Sequence, residues 1–263
     1  MRSIETPHFL IENGRVRPRI PSGISNELVD HIAAELAPLG LVPDSSAFER
    51  IFVEAVMAFE PDPMRAWTVF YDNTMRLMRR SDRSGADCVA TFGRIYSRAL
   101  SLVRGTTVLD VGCCFGFLPL LAAERDPRLR VIGTDIAPRS AALAGHISRA
   151  RGSRARFAAA DLLALPVASQ AVDTVLAVHV LEHLPSGASG PALAQLRRVA
   201  RFRVVVAVPL EEVPDPTFGH VQAFDLPALA AIGAVPGWSR AVYSADGGWL
   251  ILDRVPCEPC PIG

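Results

Sequence analysis

From residue 106 onward, short apolar runs alternate with segments of helical periodicity. The runs are apolar almost throughout and lack the polar alternate positions of a strand that has one face in water. Strands of this kind are covered on both faces, as in a parallel sheet between two layers of helices. The five runs are TTVLDV, LRVIGTD, ARFAAAD, VDTVLAVHV and FRVVVAVPL. The pattern therefore predicts a doubly wound α/β fold.

Two further strand candidates follow in SRAVYSADGGWLILDRV, which makes a mainly parallel, seven-stranded, Rossmann-like sheet with an antiparallel edge. Upstream, HFLIENGRVRPRI carries the Asn-Gly pair of a hairpin turn, and residues 24–103 have helical periodicity. We expect three parts: a hairpin with a helical cap region (1–104), a sheet domain (105–254) and a flexible tail (255–263).

Charge and composition exclude several classes of function. Lys and Arg together number 27, as do Asp and Glu, so the surface lacks the basic excess of a nucleic-acid-binding protein. No run of 18 apolar residues occurs, and the first residues lack the apolar block of a signal peptide. We therefore expect a cytoplasmic protein with no nucleic-acid partner and no membrane insertion. Oligomeric state is left open.

The cysteines do not form a recognisable framework. Their number, five, is odd and low for a chain of 263 residues, which argues against a disulfide scaffold. Cys257 and Cys260 have CxxC spacing near the C-terminus, but no second pair completes a zinc site. No metal site is predicted.

An acid or a histidine stands at the carboxyl end of each of the first four predicted strands. Ligands of open α/β sheets bind at these ends, so the residues there are the candidates for a binding site. They are Asp110, Asp135, Asp161 and His179. In the loop after the first strand, Asp110 precedes Gly112 and Gly116 with a spacing that differs from the dinucleotide pattern G-x-G-x-x-G. An acid at this place repels pyrophosphate and suits an ammonium group.

The next two strand ends extend this interpretation. Asp135 is placed to accept hydrogen bonds from ribose hydroxyls. Asp161, followed by Leu162, suits an exocyclic amine with an adenine face packed beside it. The inferred ligand carries an amino acid, a ribose and an adenine.

Four ordered motifs resemble those of the class I S-adenosylmethionine-dependent methyltransferases: VLDVGCCFG, VIGTDIAP, FAAADLLALP and VDTVLAVHVLEHLP. The resemblance covers about residues 105–254. It implies S-adenosylmethionine as the cofactor and a set of residues around it. These are Asp110, Gly112, Cys113, Cys114, Gly116, Asp135, Ile136, Asp161, Leu162 and His179.

Cys114 stands where that family usually has glycine. If the position needs a positive φ, cysteine costs about 1 kcal/mol or more. If it needs only a small side chain, cysteine is tolerated, and Cys113 and Cys114 then fill a tight loop rather than act as reactive thiols. HVLEH, from His179 to His183, also fits the zinc-protease pattern H-x-x-E-H, but it follows a buried strand. A metal-assisted acceptor site stays an alternative.

Methyl transfer to a hydroxyl calls for a general base, worth roughly 10²–10⁴-fold in rate. Three residues are candidates for it: His183, Asp215 and His220. Tyr71 belongs to an aromatic cluster that forms either a core or a lid reaching the cofactor.

The sequence says less about the methyl acceptor than about the cofactor. A helical cap over the pocket favours a small or medium molecule. SSAFERIFVEAVM, RAWTVFYDNTMRLMRR and DVGCCFGFLPL are similar to the actinobacterial methyltransferases that act on mycofactocin oligosaccharide, which implies O-methylation of a sugar hydroxyl, a glucose unit. The alternatives are C-methylation of a quinone or lipid-type acceptor, and cofactor binding without turnover.

Overall fold

The computed structural model describes residues 3–13, 15–19, 23–80 and 85–255. The chain divides into two compact units. The N-terminal unit comprises Met1–Tyr96 together with Asp215–His220, and the sheet unit comprises Ser97–Pro214 together with Val221–Gly263. The division falls eight residues before the expected boundary at 104/105, and most of the expected tail lies outside the described residues. The three expected parts stay a prediction.

The N-terminal unit begins with an antiparallel sheet of three short strands within its described part: β1 (Ile4–Glu5), β2 (Phe9–Glu12) and β3 (Arg15–Pro18). The turn between β2 and β3 contains Asn13 at φ 53°, which confirms the hairpin. Gly14 lies outside the described residues. The sequence did not predict β1, because two residues carry no periodicity.

Helices form the rest of this unit: α1 (Leu28–Glu35), α2 (Ser45–Met57), α3 (Pro63–Met78) and α4 (Cys88–Ser101), whose end enters the sheet unit. Asp44 and Asp62 cap α2 and α3 by accepting hydrogen bonds from backbone N–H groups of the first turn. Apolar residues at helical spacing then bury one face of each helix. Phe52, Phe70 and Tyr71 meet edge to face in the resulting core.

Seven strands of the described residues form the sheet of the second unit. They are β4 (Thr107–Val111), β5 (Arg130–Asp135), β6 (Arg156–Ala159), β7 (Val172–Val178), β8 (Ala200–Val208), β9 (Trp238–Ser244) and β10 (Gly248–Arg254). The order is β6-β5-β4-β7-β8-β10-β9, with parallel pairing from β6 to β8 and antiparallel pairing of β10 with β8 and β9. The predicted fold class is confirmed.

Four helices connect these strands: α5 (Phe117–Arg125), α6 (Pro138–Ala150), α7 (Ser189–Val199) and α8 (Leu226–Ile232). All seven residues of β7 are buried, as a strand with both faces covered requires. The chain winds outward from β4 through β5 to β6, then returns to place β7 on the other side of β4. This reversal between β4 and β7 is the switch point at which open α/β sheets bind ligands.

Candidate functional site

The loop from β4 to α5 turns sharply by using left-handed backbone conformations. Gly112, Cys114 and Gly116 have φ values of 71°, 47° and 74°. A side chain at Gly112 would place its Cβ 2.5 Å from Val180, and one at Gly116 would place it 2.4 Å from Phe157. Both positions therefore require glycine for space as well as for conformation.

The two cysteines of this loop differ in environment. Cys113 is buried, and burial followed by the charge of Asp110 raises the pKa of its thiol far above the usual range, so the thiol stays protonated. Cys114 is exposed, and its backbone N–H donates to Asp135 Oδ2 over 2.7 Å. Its positive φ supports the first of the two alternatives, in which cysteine occupies a position that favours glycine.

Asp110 is 3% exposed near the end of β4. Burial, and then the charge of Asp135, raise the pKa of its carboxyl group well above the ordinary value. No ion pair found among the described residues includes it. A buried carboxyl group without a cation costs free energy to ionise, so a bound ammonium group would stabilise its charged form. The site therefore fits the amino-acid end of the inferred ligand.

Asp135 links two loops at the same edge of the sheet. Its Oδ2 accepts from Cys114, and its Oδ1 accepts from the backbone N–H of Ala137 over 2.9 Å. Each carboxylate oxygen has a second lone pair, so ribose hydroxyls have acceptors there. The next residue, Ile136, is 73% exposed, an apolar surface at a strand end that suits contact with a planar ring.

Asp161 and Leu162 follow β6. Asp161 is exposed and caps a short 3-10 helix, Leu162–Ala164, by accepting from the N–H of Leu163 over 2.8 Å. The side chain of Leu162 is 5% exposed and packs in the core, whereas Leu163 is 38% exposed. The apolar contact that we expected at Leu162 is therefore better placed at Leu163. Because the two leucines are adjacent and chemically identical, the sequence does not predict which of them is exposed.

The turn after β7 brings a histidine and a glutamate together. His179 has φ 53°, and its Nδ1 lies 3.4 Å from Oε1 of Glu182. Glu182 is fully buried, and neither of its side-chain oxygens accepts a hydrogen bond from any described residue. Burial, assisted by the charge of Glu211, raises its pKa to about 8. At neutral pH this carboxyl group therefore holds a proton.

We did not select Glu182 as a site residue from the sequence, although a charged residue within the apolar run VHVLEHL was the available signal. His183 is exposed and ends the 3-10 helix Leu181–His183. These residues do not lie on an α-helix, which agrees with our expectation that the H-x-x-E-H match of HVLEH is a coincidence.

The remaining candidates lie in the N-terminal unit. Asp215 caps the 3-10 helix Pro216–Phe218 by accepting from the N–H of Thr217 over 2.9 Å. The backbone N–H of His220 donates to the carbonyl oxygen of Asp215. Tyr71 is fully buried in the aromatic core, the packing alternative considered for it. Roles for these residues in catalysis or cofactor binding stay predictions.

Comparison with known proteins identifies a methyltransferase domain in part of the chain. Residues 108–202 match the family model of the methyltransferase domain. Over 68 residues, the chain is 43% identical to the demethylmenaquinone methyltransferase of Thermus thermophilus. That match spans 26% of this chain and 31% of the relative, so the chain covers about a third of the relative's length.

Solved structures share the fold. A SAM-dependent methyltransferase from Aquifex aeolicus superposes with a TM-score of 0.51 at 16% identity, over 70% of this chain and 98% of that chain. Magnesium protoporphyrin IX methyltransferase from Synechocystis, determined with bound SAH, gives a TM-score of 0.51 at 19% identity, over 70% and 94%.

Residues 108–202 thus match a methyltransferase domain, and the sheet unit has the fold of the solved methyltransferases. Magnesium protoporphyrin IX methyltransferase, which shares this fold, has been determined with bound SAM as well as with bound SAH. Across the described ranges, no helix has the length and apolar character needed to cross a bilayer.

Proposed function

We propose that this chain is a class I S-adenosylmethionine-dependent methyltransferase and that it transfers the methyl group to a hydroxyl of a small molecule or oligosaccharide. One observation carries the proposal: two buried carboxyl groups with raised pKa values, Asp110 near the end of β4 and Glu182 after β7, lie at the carboxyl ends of neighbouring strands. Asp110 suits the cofactor's ammonium group, and Glu182 belongs to a proton-holding pair with His179.

On the cofactor side, we assign each residue one contact. Asp110 takes the ammonium group, and the loop from Gly112 to Gly116 surrounds the amino-acid end. Asp135 accepts the ribose hydroxyls. Asp161 takes the exocyclic amine of adenine, whose faces contact Ile136 and Leu163. The exposure of these two apolar side chains supports the last assignment.

On the acceptor side, we assign the base to His183. It is exposed, whereas its neighbour Glu182 is sealed from solvent, so a dissolved acceptor reaches the histidine directly. Glu182 positions His179 through the contact of 3.4 Å and fixes the turn that carries His183. When bound, the cofactor supplies an electrophilic methyl group, and the protein aligns the acceptor oxygen with it.

A glucose unit of mycofactocin is the acceptor that we favour, on the resemblance of the helical region. A second candidate is C-methylation of a quinone-type acceptor. The identity with the demethylmenaquinone methyltransferase favours it, although that identity covers only 26% of this chain.

The test incubates the enzyme with methyl-labelled S-adenosylmethionine and three acceptors: mycofactocin oligosaccharide, a simple glucoside and a demethylmenaquinone analogue. We expect label in the sugar and, by NMR of the product, a methyl group attached to oxygen. A product methylated on carbon would select the second candidate. Titration with S-adenosylhomocysteine accompanies the assay. Binding without turnover on any acceptor would indicate a cofactor-binding protein, and no binding would overturn the cofactor assignment.

The base is tested with His183→Ala, which we expect to lower kcat by about 100-fold or more without weakening S-adenosylhomocysteine binding. His220→Ala is the matched comparison. Full turnover in both variants would rule out a histidine base and leave Asp215 as the remaining candidate.

A further inference from the structure

The N-terminal unit holds three metal-ligating side chains that the sequence keeps apart. His31 and Glu35 are four residues apart on α1, so both project from one face of the helix. His8 precedes β2 and faces the same side. One ligand atom from each of the three residues lies within 4.8 Å of the others. None of the three belongs to the cofactor site described above.

Direct contacts already hold the cluster together. The backbone N–H of His8 donates to Glu35 Oε2 over 3.0 Å, and His8 Nδ1 lies 2.5 Å from Glu35 Oε1. The rings of His8 and His31 stack with their centroids 3.6 Å apart. Ligand atoms of a tetrahedral zinc ion lie about 3.3 Å from each other, given metal–nitrogen bonds near 2.0 Å. Small side-chain movements therefore bring the three ligands to that spacing.

The protonation states suit a cation. Burial, followed by the nearby His8, lowers the pKa of His31, which keeps the imidazole neutral and its lone pair available. Burial alone would raise the pKa of Glu35, but hydrogen bonds from Thr6 and His8 outweigh it, and the pKa is lowered.

We propose that His8, His31 and Glu35 bind one divalent transition-metal ion of the zinc type. Two imidazoles and one carboxylate form a ligand set that zinc accepts, with water as the fourth ligand at this half-buried position. The ion takes the place of the proton between His8 and Glu35. It fastens the hairpin to α1, since the ligands come from both elements.

Binding requires one defined rearrangement. A metal ion lies in the plane of each imidazole that binds it, and the stacked rings are only 13° from parallel. One ring must therefore rotate about its side-chain bonds. Both histidines are partly exposed, which leaves room for this rotation.

The experiment titrates zinc into the full-length protein against a chromogenic chelator. Cys257 and Cys260 are first replaced by serine, so that their thiols do not contribute. We expect one equivalent to bind, and His31→Ala and Glu35→Gln to weaken it at least tenfold. His146→Ala, an exposed histidine of α6, is the matched control and should bind zinc as the parent does.

Two outcomes overturn the proposal: no bound equivalent in the parent, or undiminished binding in both variants. Circular dichroism and S-adenosylhomocysteine titration confirm that each variant is folded. Because zinc is the only probe, the result is independent of the acceptor proposed above. X-ray absorption at the zinc edge identifies the ligands of the bound zinc in the parent protein, with no substitution in the cluster. A first shell without two imidazoles would also overturn the site.

Discussion

Buried carboxyl groups at the two ends of the parallel strands have pKa values that are shifted in opposite directions. At the amino end, Asp173 contacts Arg201 over 3.1 Å, and Asp253 contacts Arg203 over 2.8 Å. Burial raises the pKa of these two acids, but hydrogen bonds and arginine charges outweigh it, so both pKa values are lowered. At the carboxyl end, Asp110 and Glu182 have raised pKa values.

The difference separates acids that hold the fold from acids that serve the site. A carboxylate matched by arginine stabilises the folded chain, because removing it takes away the acceptor of several hydrogen bonds. A buried carboxyl group without such a partner costs stability and is available to a cationic ligand or a proton. Variants at the amino end should therefore change the free energy of unfolding, whereas variants at the carboxyl end should change the affinity for the cofactor.

The largest effect is expected at the amino end. Asp173 accepts hydrogen bonds from the N–H groups of Thr106 and Thr107 in addition to Arg201. Asp173→Ala should lower the free energy of unfolding by about 3 kcal/mol, measured by urea denaturation. Asp173→Asn retains one acceptor and should lose less. An unchanged unfolding free energy in the alanine variant would break the comparison.

At the carboxyl end, Asp110→Asn should weaken S-adenosylhomocysteine binding by about 100-fold, equivalent to about 2.7 kcal/mol, because the ammonium group loses its counter-charge. The free energy of unfolding should stay equal or rise, since an uncompensated buried acid is removed. Calorimetric titration measures the affinity, with Asp173→Asn as the control. Loss of stability without loss of affinity would place Asp110 among the structural acids.

Glu182 should make stability depend on pH. The folded chain binds this proton up to a pKa of about 8, above that of the unfolded chain. The folded state therefore holds more protons, and unfolding free energy falls as pH rises through this window. Between pH 5 and 7 the loss due to Glu182 should be about 2 kcal/mol, absent in Glu182→Gln. Glu49→Gln, at an exposed position, should keep the parent's pH dependence. An equal slope in Glu182→Gln would contradict the assignment.

Asp135→Ala should weaken cofactor binding by more than tenfold, about 1.4 kcal/mol, since it removes the ribose acceptor. It also releases the N–H groups of Cys114 and Ala137. Titration with S-adenosylhomocysteine measures the change. Unchanged affinity would remove the ribose assignment.

The smallest effect is expected at Cys114. Because its φ is 47°, Cys114→Gly should relieve strain and raise the free energy of unfolding by about 0.5 to 1 kcal/mol. Cofactor binding should stay nearly intact. A large loss of affinity would show that the thiol takes part after all.

Much of the sheet unit could be predicted from local pattern. Continuous apolar runs locate five of the seven strands, the segment SRAVYSADGGWLILDRV supplies the other two, and the acids at the strand ends mark the binding edge. Helical periodicity likewise locates α2, α3 and α4. The two-residue strand β1 was not predicted, because it carries no pattern. The sequence also did not predict which of Leu162 and Leu163 is exposed at the binding edge, because this depends on which side chain packs into the core.

The sequence by itself determined where the strands end and which ionisable residues stand there. Only the tertiary structure decided which acids find a cation. Asp253 meets Arg203 across 50 positions, and Asp173 meets Arg201 across 28. Glu182 is instead fully buried, and neither of its side-chain oxygens accepts a hydrogen bond from a described residue. A carboxyl group's pKa depends on burial and on nearby charge, and both are set by residues distant in the chain.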